Sequence, residues 1–344
     1  VEKSVVRKIV LGLLLAISGY FILTNFTEMQ AVAVLLRQGD WRFLLLGVLI
    51  EGLWLLNVNQ SYKSLYRAVG IEESRKKLFL MATAAFFITT MAPAAGMTGL
   101  AVFIEQSGKE KGQPASHGKV TVACLLYLLA DYFGLLAVIP LALLILWQRN
   151  QITSSAIIAS ILLLVLAVGL STLLMLGARS SRKLAAVLGF VIGLVNRVSG
   201  LLVRRPVVRP DLAVNFSQDV YEGVSSLREQ PQLLVQPLLL GLTNKALMMG
   251  VLLAVFLAFN IPFTIPLLIA AYALGYLFAV VSPTPSGIGI VEGVMTVALR
   301  SLGMPLENAA TATLAYRGFT FWLPLVVGGF SFRQLQKVEK PALR

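Results

Sequence analysis

The stretch Ser282-Pro283-Thr284-Pro285-Ser286-Gly287-Ile288-Gly289-Ile290-Val291-Glu292 is a polar break inside a run of otherwise apolar residues. Pro283 and Pro285 remove two backbone donors and forbid a continuous helix, while Gly287 and Gly289 let the chain turn and approach a neighbour closely. Hydrocarbon cannot hydrogen-bond such backbone, so at membrane depth it must be buried in protein or line a watered cavity. The alternative is a short external loop between two ordinary spans. A membrane setting follows from the rest of the chain, whose 344 residues are 57% hydrophobic and 13% charged, with a mean hydropathy of +0.82. That is far too apolar for a soluble domain. A net charge of +13 would suggest nucleic acid in a soluble protein. Here the basic residues lie between apolar runs, where they set topology and meet anionic lipid headgroups, so no nucleic-acid partner is expected.

Apolar runs of the roughly 20 residues needed to cross a bilayer cover 9–26, 43–61, 120–147, 152–177, 232–259 and 307–332. Lys3, Arg7 and Lys8 precede the first run with no small-residue cleavage site after it, which reads as a retained span. Residues 78–105 form a further run, interrupted by Met91-Ala92-Pro93-Ala94-Ala95-Gly96-Met97-Thr98-Gly99, a break resembling the later one. If each broken segment enters and leaves on one side, 23 of the 29 Lys and Arg share a face with both termini, and Arg37, Arg42 and Arg149 lie opposite. The positive-inside rule favours that arrangement and makes the basic face, with both termini, cytosolic in a cell membrane. Segment 78–105 is therefore expected to be re-entrant. Segment 262–302 is re-entrant or two full spans, since both keep the same parity.

Between the spans, 178–231 is a basic region expected at the cytosolic surface. Leu184 to Val203 reads as an interfacial helix, and Asp211 as the cap of a helix whose Phe216, Val220, Val224 and Leu227 recur at helical spacing before Pro231. Asp131 and Arg317 take matching places in the spans that follow the two broken segments, each followed by a proline, Pro140 and Pro324. The expected fold is thus an all-α polytopic integral membrane protein with one transmembrane domain. It has about six full spans and two oppositely oriented broken segments related as an inverted repeat, with a substrate site near the midplane.

Ionisable residues inside the membrane cost about 2.5 to 3.5 kcal/mol each to insert and mark function by default. They are Glu51, Asp131, Lys245, Glu292 and Arg317, with Arg300 near an interface. Asp131 and Arg317 either line a pathway or neutralise each other as a strut. Glu51 and Lys245 are secondary candidates that could pair or face Asn57 or Asn244. Short helices starting after Gly96 and after Gly287 would point unpaired amides and positive dipole ends at the midplane. Such ends bind phosphate or carboxylate. With the guanidinium of Arg317, which can contact phosphate in bidentate fashion, they make a cationic pocket for a lipid phosphate from Ser286, Gly287, Gly289, Pro93, Gly96 and Tyr316. His117 and Cys124 are single, which excludes a zinc site of His and Cys and a disulfide framework. No Walker motif and no nucleophile-base-acid cluster is present, so neither cofactor nor catalysis is expected.

Pro285-Ser286-Gly287-Ile288-Gly289-Ile290-Val291-Glu292, followed by Tyr316-Arg317-Gly318-Phe319-Thr320-Phe321-Trp322-Leu323-Pro324, resembles the flippase-like transmembrane region of lysylphosphatidylglycerol synthases, the multiple peptide resistance factor family. The resemblance is specific over about the last 65 residues. In the first half Pro93 and Gly96 fit the family's motif, but Met97 and Thr98 stand where its acid would be. The resemblance implies a lipid-translocating protein in a stand-alone form, without the soluble synthase domain. It also implies substrates among aminoacylated phospholipids, glycolipids and polyprenyl-linked sugars. Two other functions stay open. The chain could present lipid to a soluble or membrane transferase docked on its basic region, as a monomer or an oligomer. Alternatively, it could act on lipid-linked substrates with Asp131 or Glu292 as general base.

Overall fold

A computed structural model describes residues 26–91, 97–108, 115–200, 211–228, 231–282 and 284–338. Among these residues there is no strand. The helices are α1 (Phe26–Leu36), α2 (Trp41–Ala68), α3 (Arg75–Met91), α4 (Met97–Gln106), α5 (His117–Gln148), α6 (Ser154–Arg179), α7 (Ser181–Gly200), α8 (Asp211–Arg228), α9 (Val235–Ala258), α10 (Ile265–Val281), α11 (Ile290–Ser301), α12 (Leu306–Arg317) and α13 (Leu323–Val338). Four stretches are long and apolar enough to cross a membrane: Trp41–Ala68, His117–Gln148, Ser154–Arg179 and Gln232–Ala258. Their outward faces carry apolar stripes, such as Leu45, Leu49, Leu53 and Leu56 on α2 and Ile158, Ile161, Val165 and Val168 on α6. Fully apolar exposed faces of this size suit lipid and not water. The chain is a multi-pass, all-α membrane protein.

The expected first span, 9–26, lies almost wholly outside the described residues. The last expected span, 307–332, is a long helix whose middle loosens: α12 and α13 are joined by a π-helical turn, Gly318–Trp322. Pro324 supplies the reason. It has no amide to give Thr320, and its ring crowds that carbonyl, so the helix widens locally instead of continuing in α register.

The two broken segments are helix hairpins that face opposite ends of α2. Helix α3 packs on α4, and Gly99 sits so close to α3 that a Cβ there would lie 2.5 Å from Thr89 Oγ1. The amide of Gly108, just past α4, donates to the carboxylate of Glu73, just before α3, and Lys77 bridges to the same carboxylate at 3.3 Å. Both ends of this hairpin therefore return to one place, near the end of α2. Helix α10 likewise packs on α11. Asn260 and Ile261 before this second hairpin, and Glu307 after it, line one cavity of about 480 Å³ with Gln38 and Asp40, at the start of α2.

Three apolar clusters hold the helices. The first joins α5 from Leu135, α9 from Met248, α10, α11 and α12. The second joins α2 from Val58, α3, the start of α5 and α8, through Val220, Val224 and Leu227. The helix expected after Asp211 therefore exists with its apolar face buried. The third is small and lies where the two breaks meet: Val32, Met91, Phe321, Trp322 and Leu325. Helix α7 is amphipathic, with Phe190 and Val191 exposed.

Candidate functional site

Charged side chains gather where these clusters border one another. Between the first and second clusters, Asp131 on α5 is bound by three side chains. Lys245 pairs with its Oδ1, Asn244 Nδ2 donates to the same oxygen at 3.4 Å, and Tyr276 donates to Oδ2 at 2.8 Å. Lys245 also lies 4.0 Å from the centroid of the Tyr276 ring, a cation-π contact. Asn57 extends the network from α2, donating to Asn244 at 3.3 Å and to the Leu240 carbonyl at 2.9 Å.

Small residues make this pairing possible. A Cβ on Gly134 would lie 2.6 Å from the Gly241 carbonyl oxygen, and one on Gly241 would lie 2.5 Å from that of Ala130. Helices α5 and α9 therefore cross backbone against backbone, as small residues permit. Asp131 lies one turn before Gly134, and Lys245 one turn after Gly241, so the crossing brings the two charges together. The sequence left Asp131 and Arg317 either to line a pathway or to neutralise each other. The structure gives Asp131 to Lys245 instead, because this close crossing delivers the ammonium directly onto the carboxylate.

Arg317 is the last residue of α12, immediately before the π-helical turn, and is buried. Its Nε pairs with Glu292, in the first turn of α11, its Nη1 donates to the Ser286 carbonyl at 3.4 Å, and its guanidinium lies 4.3 Å from the Phe321 ring centroid. Glu292, one of the intramembrane candidates, is thus the counter-ion of the arginine. Ser286, Gly287 and Gly289 all adopt left-handed backbone, with φ of 51°, 71° and 78°. Glycine takes this conformation freely, and the serine here is held by its surroundings. Gly289 ends this turn and α11 begins at Ile290, so the short helix expected after Gly287 forms.

The end of α3, at the edge of the first break, touches the second break. Thr90, in the last turn of α3, shares a hydrogen bond of 2.9 Å with Ser286. Helix α4 starts at Met97, directly after Gly96. Pro93 and Gly96 themselves lie outside the described residues. Tyr316 is buried, next to Arg317 in the chain. Glu51 is fully buried, and neither carboxylate oxygen has a hydrogen-bond partner. It faces neither Asn57 nor Asn244 as a partner, because those two bind each other.

The Arg317 pair differs from the Asp131 pair in what it leaves over. Glu292 Oε2 and Arg317 Nη2 are buried without hydrogen-bond partners. Buried polar atoms are nearly always satisfied, so a spare donor and a spare acceptor side by side call for an explanation. Sequence reasoning missed Thr90, Tyr276 and the pair Gly134 and Gly241, and it named Asn57 and Asn244 only as residues that Glu51 or Lys245 could face. The glycines carried a signal, since each lies one helical turn from an intramembrane charge.

The model of the lysylphosphatidylglycerol synthase TM region matches residues 9–328. The chain belongs to that family. No curated protein matches it. The match spans both hairpins, so the family resemblance extends well beyond the last 65 or so residues on which the motif reading rested. The family describes a membrane region and not a catalytic domain, and membership gives this chain a role connected with membrane lipid. Among the described residues no group of three or more His, Cys, Asp or Glu is placed to hold a metal ion.

Proposed function

We propose that this member of the lysylphosphatidylglycerol synthase transmembrane family carries a phosphate-bearing lipid headgroup across the membrane. The headgroup passes at the two helix breaks while the acyl or prenyl tails stay in lipid. The observation that carries this reading is the unfilled pair, Arg317 Nη2 and Glu292 Oε2, next to the left-handed turn at Ser286, Gly287 and Gly289. A guanidinium with a free donor matches a phosphate oxygen, and charge-assisted contacts of that kind are among the strongest available to a side chain. Glu292 has a free acceptor for an amine or hydroxyl on the same headgroup.

In this reading both hairpins are re-entrant. One enters from the face holding Glu73, Arg75 and Lys76, which the positive-inside rule makes cytosolic, and the other from the face of the 480 Å³ cavity. Such an arrangement supports alternating exposure of a midplane site, as in transporters built from inverted repeats. Asp131 and Lys245 hold α5 to α9 and do not bind the headgroup. Helices α7 and α8 lie on the cytosolic side, with α7 in the interface, where Arg182, Lys183 and Arg197 meet anionic lipid.

The test is headgroup transfer by purified protein in phosphatidylcholine vesicles containing a trace of headgroup-labelled phosphatidylglycerol, read by quenching of the outer leaflet. Wild type should render the inner-leaflet label accessible, and Arg317→Ala should slow this by about 100-fold, the loss of a charged hydrogen bond of roughly 3 kcal/mol. Folded wild-type protein that moves neither this lipid nor a panel of aminoacylated and glycosylated ones would overturn transport. That result would leave the lipid-presenting role beside a transferase.

A further inference from the structure

Five ionisable side chains lie within the apolar runs read as intramembrane: Glu51, Asp131, Lys245, Glu292 and Arg317. Asp131 is matched to Lys245 and Glu292 to Arg317. Glu51 is left over. It sits in the middle of α2, fully buried, and both its oxygens lack partners. One turn before it, Gly47 lies against the Phe319 ring, where a Cβ would meet the ring at 3.0 Å. One turn after it, Trp54 packs against the first and second clusters. Glu51 therefore lies on the side of α2 that meets the loosened turn of the α12 to α13 helix, a turn that begins directly after the headgroup arginine.

Among the described residues, the groups on the elements packed against α2 do not neutralise it. On α9, Lys245 is taken by Asp131, and on α3, Lys77 is taken by Glu73. On α5 the nearest ionisable groups in depth are Asp131 and Tyr127, neither of them cationic. At the π-helical turn stand Tyr316 and Arg317, and the arginine is held by Glu292. On α2 itself Arg42, Lys63 and Arg67 lie toward the helix ends. An ionised carboxylate in this position would be a buried charge with no counter-ion, which proteins avoid by neutralising the group.

We propose that Glu51 is a proton-binding site coupled to occupation of the Arg317 site. The proposal rests on the transport reading above and on the charge balance of the layer. With Glu51 protonated, the five groups sum to zero. With Glu51 ionised, they carry one excess negative charge, and an anionic phosphate would add a second. Proton binding and phosphate binding therefore favour each other, by the reciprocity that any coupled pair of sites obeys. The sign follows directly: lowering the pH protonates Glu51 and strengthens headgroup binding, and raising it discharges the site. Glutamine at position 51 mimics the protonated state permanently.

Two measurements on the full chain test this. The first is pH-difference infrared spectroscopy of protein in phosphatidylcholine vesicles, with the glutamate carboxyls isotope-labelled. Wild type should show a protonated glutamate carbonyl band that persists above the ordinary carboxylate range, and Glu51→Gln should lack it. The absence of any such band in folded wild type, or its persistence in Glu51→Gln, overturns the site, and the wild-type arm stands even if the variant does not fold. The second is transfer of labelled phosphatidylglycerol as a function of pH. Wild type should gain up to about tenfold per pH unit on acidification within the titration window, the limit for one coupled proton. Glu51→Gln should be flat at the acidic level, and a wild-type slope in that variant overturns the coupling. Replacing sodium by a bulky organic cation should change neither result, and sodium dependence would assign the site to a metal cation instead. If wild type moves no lipid, the transport reading fails while the infrared band still decides whether Glu51 holds a proton.

Discussion

Two ion pairs of this protein, Asp131 with Lys245 and Glu292 with Arg317, are chemically alike and structurally opposite. Around Asp131 and Lys245, both carboxylate oxygens are occupied, the ammonium is almost completely buried, and Asn57, Asn244 and Tyr276 complete the shell. Around Arg317 and Glu292, one donor and one acceptor are unused, and the neighbouring backbone is a left-handed turn and a π-helical turn. A satisfied pair ties helices together and has nothing left to offer a ligand. A pair with spare valences, seated on irregular backbone, can exchange partners at low cost. Charge inside the membrane is therefore an incomplete guide to function, and the state of its hydrogen-bond shell separates strut from receptor.

The contrast breaks most visibly at Lys245. Lys245→Met should destabilise the protein by about 3 to 5 kcal/mol, because it strands the Asp131 carboxylate in a buried site. The double variant Lys245→Met with Asp131→Leu should recover most of that loss in thermal unfolding and keep lipid transfer near wild type. A folded double variant with no transfer would make the strut a second receptor. At the receptor, Arg317→Lys keeps the charge but loses the planar fork. Transfer should fall by about tenfold with unfolding hardly changed, since the two cations are not equivalent at a bidentate site.

Smaller effects sharpen the same distinction. Gly241→Ala places a methyl against the Ala130 carbonyl and should cost about 1 to 3 kcal/mol of stability by forcing α5 and α9 apart. The loss should shrink when Asp131 is already replaced, because the crossing then has no ion pair to align. Thr90→Val removes the hydrogen bond between the two breaks. It should lower stability by only about 0.6 kcal/mol, the average for such bonds in membranes, while changing transfer severalfold if the breaks move together.

Much of the architecture was legible in the chain. Apolar runs marked four spanning helices within a few residues, since lipid solvation demands uninterrupted helix there. Proline and glycine placed both breaks, because a missing amide and a free φ act locally; the loosened turn after Arg317 was not foreseen, since Pro140 leaves α5 continuous while Pro324 does not leave its helix so. The candidate site was half legible. Arg317, Glu292 and the turn at Ser286 were found as a group because they lie on one hairpin and the helix beside it. Asp131 was recognised as important, but its pairing with Lys245 was not foreseen, and Glu51 was expected to pair or to face Asn57 or Asn244, neither of which binds it.

Those last points belong to tertiary structure. Which charge meets which depends on the rotation and crossing of helices far apart in sequence, and here contacts of a few ångströms between Gly134, Gly241 and the Ala130 carbonyl decide it. Sequence composition determines that five charges must be accommodated within the membrane. Only the packed structure decides that two cations satisfy two carboxylates and leave Glu51 without a counter-ion, because neutralisation acts through space over distances that local sequence does not encode.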